Sequence, residues 1–157
     1  MKVLGIDPGL TATGYSVIEN NNVIETGTIR PHLKDSNEKI FEICNGIQRA
    51  IERNKVSFAV LEKAFYEKNV SSLMRVSELR GALIFMLKSN NIDLYEYTPT
   101  QIKLTTTGNG RASKGQVRFF IERIMRRPKT KTSNHAIDAI AIAYTGSKKS
   151  SCKPVSL

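Results

Sequence analysis

Three acidic residues and one histidine stand at positions where a polar side chain needs an explanation. Asp7 ends an apolar run that predicts a strand and precedes a Pro-Gly turn, and Glu62 follows a second apolar strand. Asp138 lies in a helical segment, 134–143, that is apolar nearly all round, where a carboxylate is costly unless it is paired or metal-bound. His135 lies three residues earlier, on the same helix face.

These four side chains would form a cation site if the fold brought them together. Open sheets bring the carboxyl ends of their strands to one edge, where two strand-end acids and a helical His/Asp pair can meet. Two carboxylates about 4 Å apart repel by up to roughly 4 kcal/mol at an effective dielectric constant near 20, and a divalent cation reverses that sign. Oxygen ligands select Mg²⁺ or Mn²⁺, and two such ions about 3.5–4 Å apart activate water against a phosphodiester. The set therefore predicts nuclease chemistry, with Asp7, Glu62, His135 and Asp138 as catalytic residues and metal ligands.

Each of the four residues also has an ordinary structural explanation. Asp7 can initiate the Pro-Gly turn, and Glu62 can pair with Lys63 or with a helix terminus. His135 can be a satisfied histidine at the start of a helix. Asp138 is the hardest to explain without a function, because its neighbours are alanines and isoleucines. It is the combination of the four that favours a metal site.

The positive charge of the chain is confined to its last third. The 157 residues carry 24 Lys and Arg against 14 Asp and Glu, a net charge of +10. Residues 1–100 are balanced, with 12 basic and 12 acidic side chains, whereas residues 101–157 hold 12 basic side chains and 2 acidic ones. Such one-sided basicity favours a nucleic-acid partner, because phosphate contacts need Lys and Arg in no particular order. A solubilising surface is the alternative.

Composition excludes several other classes of protein. A hydrophobic content of 40% and a charged content of 24% are typical of a globular domain. We find no run of about 18 apolar residues that would predict a membrane span, and the N-terminus does not resemble a signal peptide. Two cysteines make neither a disulfide framework nor a cysteine metal cluster, so we expect a reducing, cytoplasmic location and no membrane partner.

The elements that must position these residues follow from periodicity and turn signals. Alternating or short apolar runs predict strands at 2–7, 13–19, 22–30, 57–61 and 91–97. Helical spacing predicts helices at 35–53, 70–88, 113–126 and from 132 or 133 to 145, the last stopped by Gly146, with a long polar loop at 98–111. The order indicates an α/β domain at 1–146, a mixed sheet flanked by helices, and a basic, mobile tail at 147–157.

Four segments, in order and in register, closely resemble the RuvC family of Holliday-junction resolvases (crossover junction endodeoxyribonucleases). They are IDPG with TGY at 6–9 and 13–15, EKAFYEKN at 62–69, RGA at 80–82 and HAIDAIAIA at 135–143. The resemblance covers residues 2 to 145. It implies a ribonuclease-H-like fold with a five-stranded mixed sheet, and a homodimer that cuts two strands of a four-way DNA junction symmetrically, leaving 5′-phosphates.

The resemblance also implies roles for particular residues. Asp7, Glu62 and Asp138 match the catalytic carboxylates of the family, and His135 matches a position that is aspartate in some relatives and histidine in others. Phe65 matches an aromatic residue that the family places beside the junction crossover, with a core phenylalanine as the alternative, and Lys103 and Lys114 match lysines near the scissile phosphates. From the residues themselves, Arg111 in the glycine-containing loop is a further candidate for DNA contact. Lys68 is another candidate at the edge of that surface or a solvated charge. Arg80 extends that surface or is a solvated helix charge. A branch-migration helicase complex is a further candidate partner.

The helix at 70–88 is the predicted dimer element. Its end, 82–87, is apolar on all sides, which is more than one core face needs, and Gly81 permits close approach. A two-fold dimer suits a two-fold junction. Deeper burial within one subunit is the alternative explanation.

Three other functions share some of these features. They are a junction-binding module with an inactive site, a fragment of an actin-like ATPase suggested by the Asp-Pro-Gly turn, and a ribonuclease-H-like nuclease that acts on an RNA–DNA hybrid. The hybrid nuclease is the strongest rival, because its metal chemistry and its basic charge would look the same.

Overall fold

The protein is described by a computed structural model over residues 1–63, 70–126 and 132–149. Its elements, in chain order, are β1 (Val3–Asp7), β2 (Thr13–Glu19), β3 (Asn22–Ile29), α1 (Ser36–Asn54), β4 (Phe58–Glu62), α2 (Val70–Ser89), β5 (Asp93–Tyr97), α3 (Pro99–Thr107), α4 (Lys114–Ile124) and α5 (Asn134–Lys149). Phe65 and Lys68 lie outside the described residues. The same holds for most of the predicted tail.

The strands form one five-stranded mixed sheet in the order β3-β2-β1-β4-β5. The first three strands pair antiparallel, and β4 pairs parallel to both β1 and β5. The carboxyl ends of β1, β4 and β5 therefore meet at one edge. This arrangement confirms the predicted α/β class, with a five-stranded mixed sheet flanked by helices.

Alternation along the strands divides the apolar side chains between two cores, one on each face of the sheet. On one face Leu4, Ile6 and Leu61 pack with α1 and α2, whose buried residues include Ile47 and Leu83. Val3, Val60 and the residues of α5 form the core on the other face, together with parts of α3 and α4. Asp7 and Glu62 continue the alternation of Val3 and Val60, so their side chains belong to the face that α5 covers.

Three glycines set the close approach of α5 to the sheet. A Cβ atom at Gly5 would lie 2.2 Å from the carbonyl oxygen of Ala139, and one at Gly14 would lie 2.0 Å from the carbonyl oxygen of His135. At Gly146 a Cβ would lie 2.4 Å from a methyl group of Val60. Since no side chain fits at these positions, the backbone of α5 lies directly on β1 and β2.

The prediction that Gly146 stops the last helix at residue 145 was wrong. α5 continues to Lys149, and Gly146 is a buried residue inside it. The glycine is a packing residue, because it contacts side chains of β1 and β4 where the helix crosses the sheet. Its sequence signal is the same as that of a helix C-cap, so periodicity could not separate the two.

The prediction of a long polar loop at 98–111 was also wrong. Its first part is α3, which Thr98 caps by accepting a hydrogen bond from the N–H of Gln101, with Pro99 in the first turn and Gly108 as C-cap at φ 77°. The three threonines at 105–107 carry no apolar stripe, which is why periodicity missed the helix. No helix in the described ranges is long and apolar enough to cross a membrane.

Candidate active site

The four predicted catalytic residues converge on one cleft at the carboxyl edge of the parallel strands. Asp7 and Glu62 are the last residues of the adjacent strands β1 and β4, and His135 and Asp138 come from the first turns of α5. The cleft has a volume of about 380 Å³. Its walls also include Lys63, which directly follows β4. The helices α2, α3 and α4 contribute Ser72, Leu73, Val76, Arg80, Pro99, Ile102, Lys103, Lys114 and Val117.

Asp7 and His135 are joined directly. Nδ1 of His135 lies 2.9 Å from Oδ2 of Asp7. An ionised carboxylate only accepts hydrogen bonds, so with Asp7 ionised the imidazole has its N–H at Nδ1 and donates a hydrogen bond to Asp7. In the neutral ring the lone pair is then on Nε2, which leaves that nitrogen able to bind a cation or accept a proton. The side chain of His135 is 44% exposed and that of Asp7 20% exposed, so the pair borders the open cleft.

The cleft makes Glu62 a much weaker acid than an exposed glutamate. Burial, with the nearby charges of Asp7 and Asp138, raises its pKa to about 7. Lys114 and Lys103 oppose this shift without cancelling it. The effect of Asp7 and Asp138 shows that the carboxylates are close enough to repel one another in the low-dielectric cleft.

Asp138 responds to its surroundings in the same direction. Burial, followed by the charge of Asp7, raises its pKa, while Lys114 and His135 lower it. Nζ of Lys114 lies 3.7 Å from Oδ2 of Asp138, and the lysine side chain is 88% exposed. A lysine so exposed is free to leave the carboxylate for a phosphate oxygen, because an open ion pair contributes little stability.

The predicted DNA-binding residues are divided by the structure. Lys103 on α3 and Lys114 at the start of α4 line the cleft beside the carboxylates. Arg111 is exposed in the turn between α3 and α4 and does not line the cleft. Phe65 and Lys68 fall within 64–69, outside the described residues, so their roles stay predictions.

The donor set suits a hard divalent cation. Among the described residues, no group of three or more His, Cys, Asp or Glu side chains already meets the spacing of a metal site. The chemistry of the donors nevertheless fits, because three carboxylates and an imidazole are grouped at one cleft and the two acids with raised pKa values lack sufficient counter-charge. Metal ligation by Asp7, Glu62, His135 and Asp138 stays a prediction.

For Arg80, the environment predicted from the sequence was wrong. It was predicted to extend the DNA surface or to be a solvated charge on a helix. The structure buries it to 9% exposure, where it donates to the main-chain oxygen of Glu62 and forms an ion pair with Glu96. The burial of Arg80 could have been predicted, because Arg80 lies on the same face of α2 as Leu79 and Leu83. An apolar helix face of this kind is normally buried.

Comparison with known proteins identifies the family of the chain. The family model described as crossover junction endodeoxyribonuclease RuvC matches residues 3–146. The chain belongs to the RuvC family. A RuvC relative from Petrotoga mobilis is 38% identical over 92% of this chain and 91% of its own length. Another RuvC relative, from Aliarcobacter butzleri, is 35% identical over 95% of this chain and 99% of its own length.

Solved RuvC structures share the fold. The Thermus thermophilus RuvC structure superposes with a TM-score of 0.86 over 99% of this chain and 100% of that one, at 23% identity. A second structure, of the same RuvC in complex with a Holliday junction substrate, gives a TM-score of 0.87 over 99% of both chains at 22% identity. The ribonuclease-H-like fold predicted from the motifs is therefore confirmed, as is the prediction that the chain is a nuclease of this family.

Proposed function

We propose that this chain resolves four-way DNA junctions as a homodimer, by symmetric, two-metal-ion hydrolysis of two phosphodiester bonds that leaves 5′-phosphates. Mg²⁺ is the proposed ion, with Mn²⁺ as a substitute. Membership of a family whose curated relatives are named crossover junction endodeoxyribonucleases supports the substrate class. We expect the enzyme in the cytoplasm, as its use of cysteine predicts.

One observation supports the proposed chemistry above all others. Three carboxyl groups from β1, β4 and α5 line the same cleft, and burial together with the charges of the other two acids raises the pKa of Glu62 to about 7. Arrangements of this kind cost stability unless a cation neutralises them. A fold that keeps them together beside two lysines is well suited to hold divalent cations and a phosphate at once.

The residues of the site have two proposed roles, metal ligation and substrate binding. Asp7, Glu62, His135 and Asp138 would hold the ions. When bound, divalent ions supply activation of water and neutralisation of charge on the phosphate. Asp7 accepts a hydrogen bond from Nδ1–H of His135 and so orients the ring with Nε2 directed away from that hydrogen bond. Lys103 and Lys114 line the cleft and would provide cations beside the reacting phosphate.

The proposed dimer uses the outward side of α2. Phe85 is 75% exposed and Met74 61% exposed, although both lie on a helix whose opposite side is in the core. Gly81 between them has open space where a Cβ would be. A second copy would cover this surface, and the two-fold axis would present one cleft to each of two junction strands. The helicase complex remains a candidate partner of the assembled dimer.

Asp7→Asn tests the assignment directly. The substitution removes one carboxylate charge while keeping the side chain's size, so we expect cleavage of a mobile four-way junction to fall below detection in Mg²⁺. Binding to the junction in EDTA should remain within about two-fold of wild type, because phosphate contacts are made by lysines. Cleavage at the wild-type rate by Asp7→Asn would contradict the proposal.

Substrate choice is tested by competition. Labelled junction is mixed with unlabelled junction, plain duplex or RNA–DNA hybrid, and the cleavage rate is measured in Mg²⁺. We expect only unlabelled junction to compete at equal concentration. Preferential cleavage of the RNA strand of the hybrid would instead support the rival ribonuclease-H-like activity.

A further inference from the structure

Arg80 is a buried arginine of α2 that reaches the end of the sheet below the cleft. Its side chain is 10% exposed. One terminal nitrogen donates to the main-chain carbonyl oxygen of Glu62, and the other forms an ion pair with the carboxylate of Glu96, which is 31% exposed. A guanidinium is buried only where its N–H groups have hydrogen-bond acceptors. The burial of Arg80 therefore requires the two acceptors to stay at a fixed separation.

The two acceptors lie on neighbouring strands. Glu62 is the last residue of β4, and Glu96 is in β5, where it is the register partner of Leu61. Beyond the last pair the main-chain N–H of Lys63 donates to the carbonyl oxygen of Tyr97 at 2.8 Å. Arg80 thus ties one helix to two strand ends at the residue where the chain leaves the sheet.

We propose that Arg80 is a positioning residue that fixes the main chain of Glu62 and thereby the direction in which its carboxylate enters the cleft. The inference rests on the proposed function of Glu62 as a metal ligand. Arg80 holds the carbonyl group of that same residue, which is one bond from the Cα atom that carries the side chain. Displacements of about 1 Å at a ligand can cost on the order of 100-fold in rate, so a fixed main chain matters here.

The role is geometric, because other cations act on the Glu62 carboxylate. Lys114 and Lys103 are the basic residues that lower its pKa, and both line the cleft. The charge of Arg80 is matched by Glu96. Lysine at position 80 would keep the charge but lose the planar fork that reaches two acceptors.

The test compares Arg80→Lys and the double variant Arg80→Met/Glu96→Gln with wild type. The double variant removes both members of the pair, so that neither charge is left buried alone if Arg80→Met by itself fails to fold. Arg53→Met is the control, because it breaks an arginine–glutamate pair with Glu25 that does not line the cleft.

Four quantities are measured on each protein. Calorimetry of the metal-free protein gives the Mn²⁺ dissociation constant, and single-turnover cleavage at saturating junction gives the rate in Mg²⁺. Deuterium exchange of the peptide that spans 58–63 reports on the end of β4. Junction binding in EDTA serves as the check that the DNA surface is intact.

A positioning role predicts a specific combination of results. In the double variant the cleavage rate should fall by about 10- to 100-fold, the Mn²⁺ dissociation constant should rise by about 5- to 10-fold and exchange at 58–63 should accelerate, while junction affinity stays within about two-fold. Arg80→Lys should give intermediate values, and Arg53→Met should match wild type in all four measurements.

The proposal is overturned if both Arg80 variants keep the wild-type Mn²⁺ affinity and the wild-type exchange at 58–63. Loss of junction affinity in step with rate would also overturn it, since that pattern belongs to a DNA-contacting arginine. Failure of the wild-type chain to cleave junctions would refute the proposed function instead. In that case exchange at 58–63 alone decides whether Arg80 holds the end of β4.

Discussion

At the scale of single residues, the raised pKa of Glu62 links the stability of the metal-free protein to pH. Glu62 keeps its proton in the folded state up to about pH 7, whereas in the unfolded chain it ionises near 4.5. Between these values the folded state binds more protons, so the free energy of unfolding falls as pH rises. Asp138, whose pKa is also raised, contributes in the same direction.

Glu62→Gln should therefore flatten this dependence. In EDTA we expect wild type to lose about 1–2 kcal/mol between pH 5 and pH 8, less than the full shift implies because the carboxyl group is partly exposed. The variant, which cannot ionise at position 62, should lose less and be the more stable protein at pH 8. Denaturant unfolding at several pH values measures this.

The control for that experiment is Glu52→Gln, which changes an exposed carboxylate on α1. It should leave the pH dependence as in wild type. Equal slopes for wild type and Glu62→Gln would mean that burial and repulsion do not act on Glu62 as described.

The two lysines of the cleft should act together on the rate. Lys103→Ala should slow junction cleavage by about 10-fold, and the double variant with Lys114→Ala by more, because each removes a cation beside the reacting phosphate. Single-turnover rates in Mg²⁺ measure the effect. Unchanged rates in the single and the double variant would reduce both residues to surface charges.

At the scale of elements, the docking of α5 on the sheet decides whether the site exists. Gly14→Ala places a methyl group where the carbonyl oxygen of His135 lies 2.0 Å away. The first turn of α5 must then move outward, which breaks the bond between His135 and Asp7. We expect a loss of about 2–3 kcal/mol in the free energy of unfolding, measured by denaturant titration.

Gly115→Ala is the matched control for that prediction. A Cβ at Gly115 meets nothing closer than 3.8 Å, and alanine favours the helix by up to about 1 kcal/mol. A Gly14→Ala protein as stable as the Gly115→Ala protein would show that α5 is not held at contact distance from β2.

At the scale of the whole molecule, the exposed side of α2 is the proposed dimer surface. Phe85→Glu should convert a dimer to a folded monomer at micromolar concentration, because the two-fold axis would bring two copies of the buried carboxylate into one interface. Sedimentation equilibrium measures the mass, and circular dichroism checks the fold. The monomer should nick one junction strand in place of paired cleavage.

Phe119→Glu provides the comparison, because Phe119 is 50% exposed on α4, a helix whose buried residues belong to the other core from those of α2. It should leave the mass of the assembly as in wild type. A wild-type protein that is monomeric at 100-fold higher concentration, or a Phe85→Glu protein that remains dimeric, would refute α2 as the dimer surface.

Much of this molecule follows from local sequence. Strand patterns located the first three strands and put Asp7 on the face of Val3 and Glu62 on the face of Val60, because the side of a residue within its own strand depends only on its position in the period of two. That the two faces are the same face of the sheet follows from the parallel register of β1 and β4. The apolar helix around Asp138 identified that carboxylate as costly without a partner. The four motifs identified the family, because members of a family keep the same residue types at functional positions.

Other features depend on contacts between distant segments and could only come from the tertiary structure. The capping residues of α3 were present in the sequence, but a helix without an apolar stripe is defined by its packing between α4 and α5. In the sequence Gly146 looks like the end of a helix, but in the fold it is a packing residue inside α5. The residue that leaves no room for a side chain there is Val60 of β4, which is far from it in the sequence. In the sequence Arg80 resembles a surface charge, because its two acceptors lie on the ends of adjacent strands and only the fold places them next to it.

The sequence by itself determined which groups could do the chemistry, because side-chain type and periodicity are local properties. The tertiary structure decided which of them share a cleft and which cations reach them. The pKa of Glu62, for example, depends on burial and on charges from β1 and α5, more than 50 residues away on either side in the chain. Electrostatic coupling follows distance in space, and only the fold sets that distance.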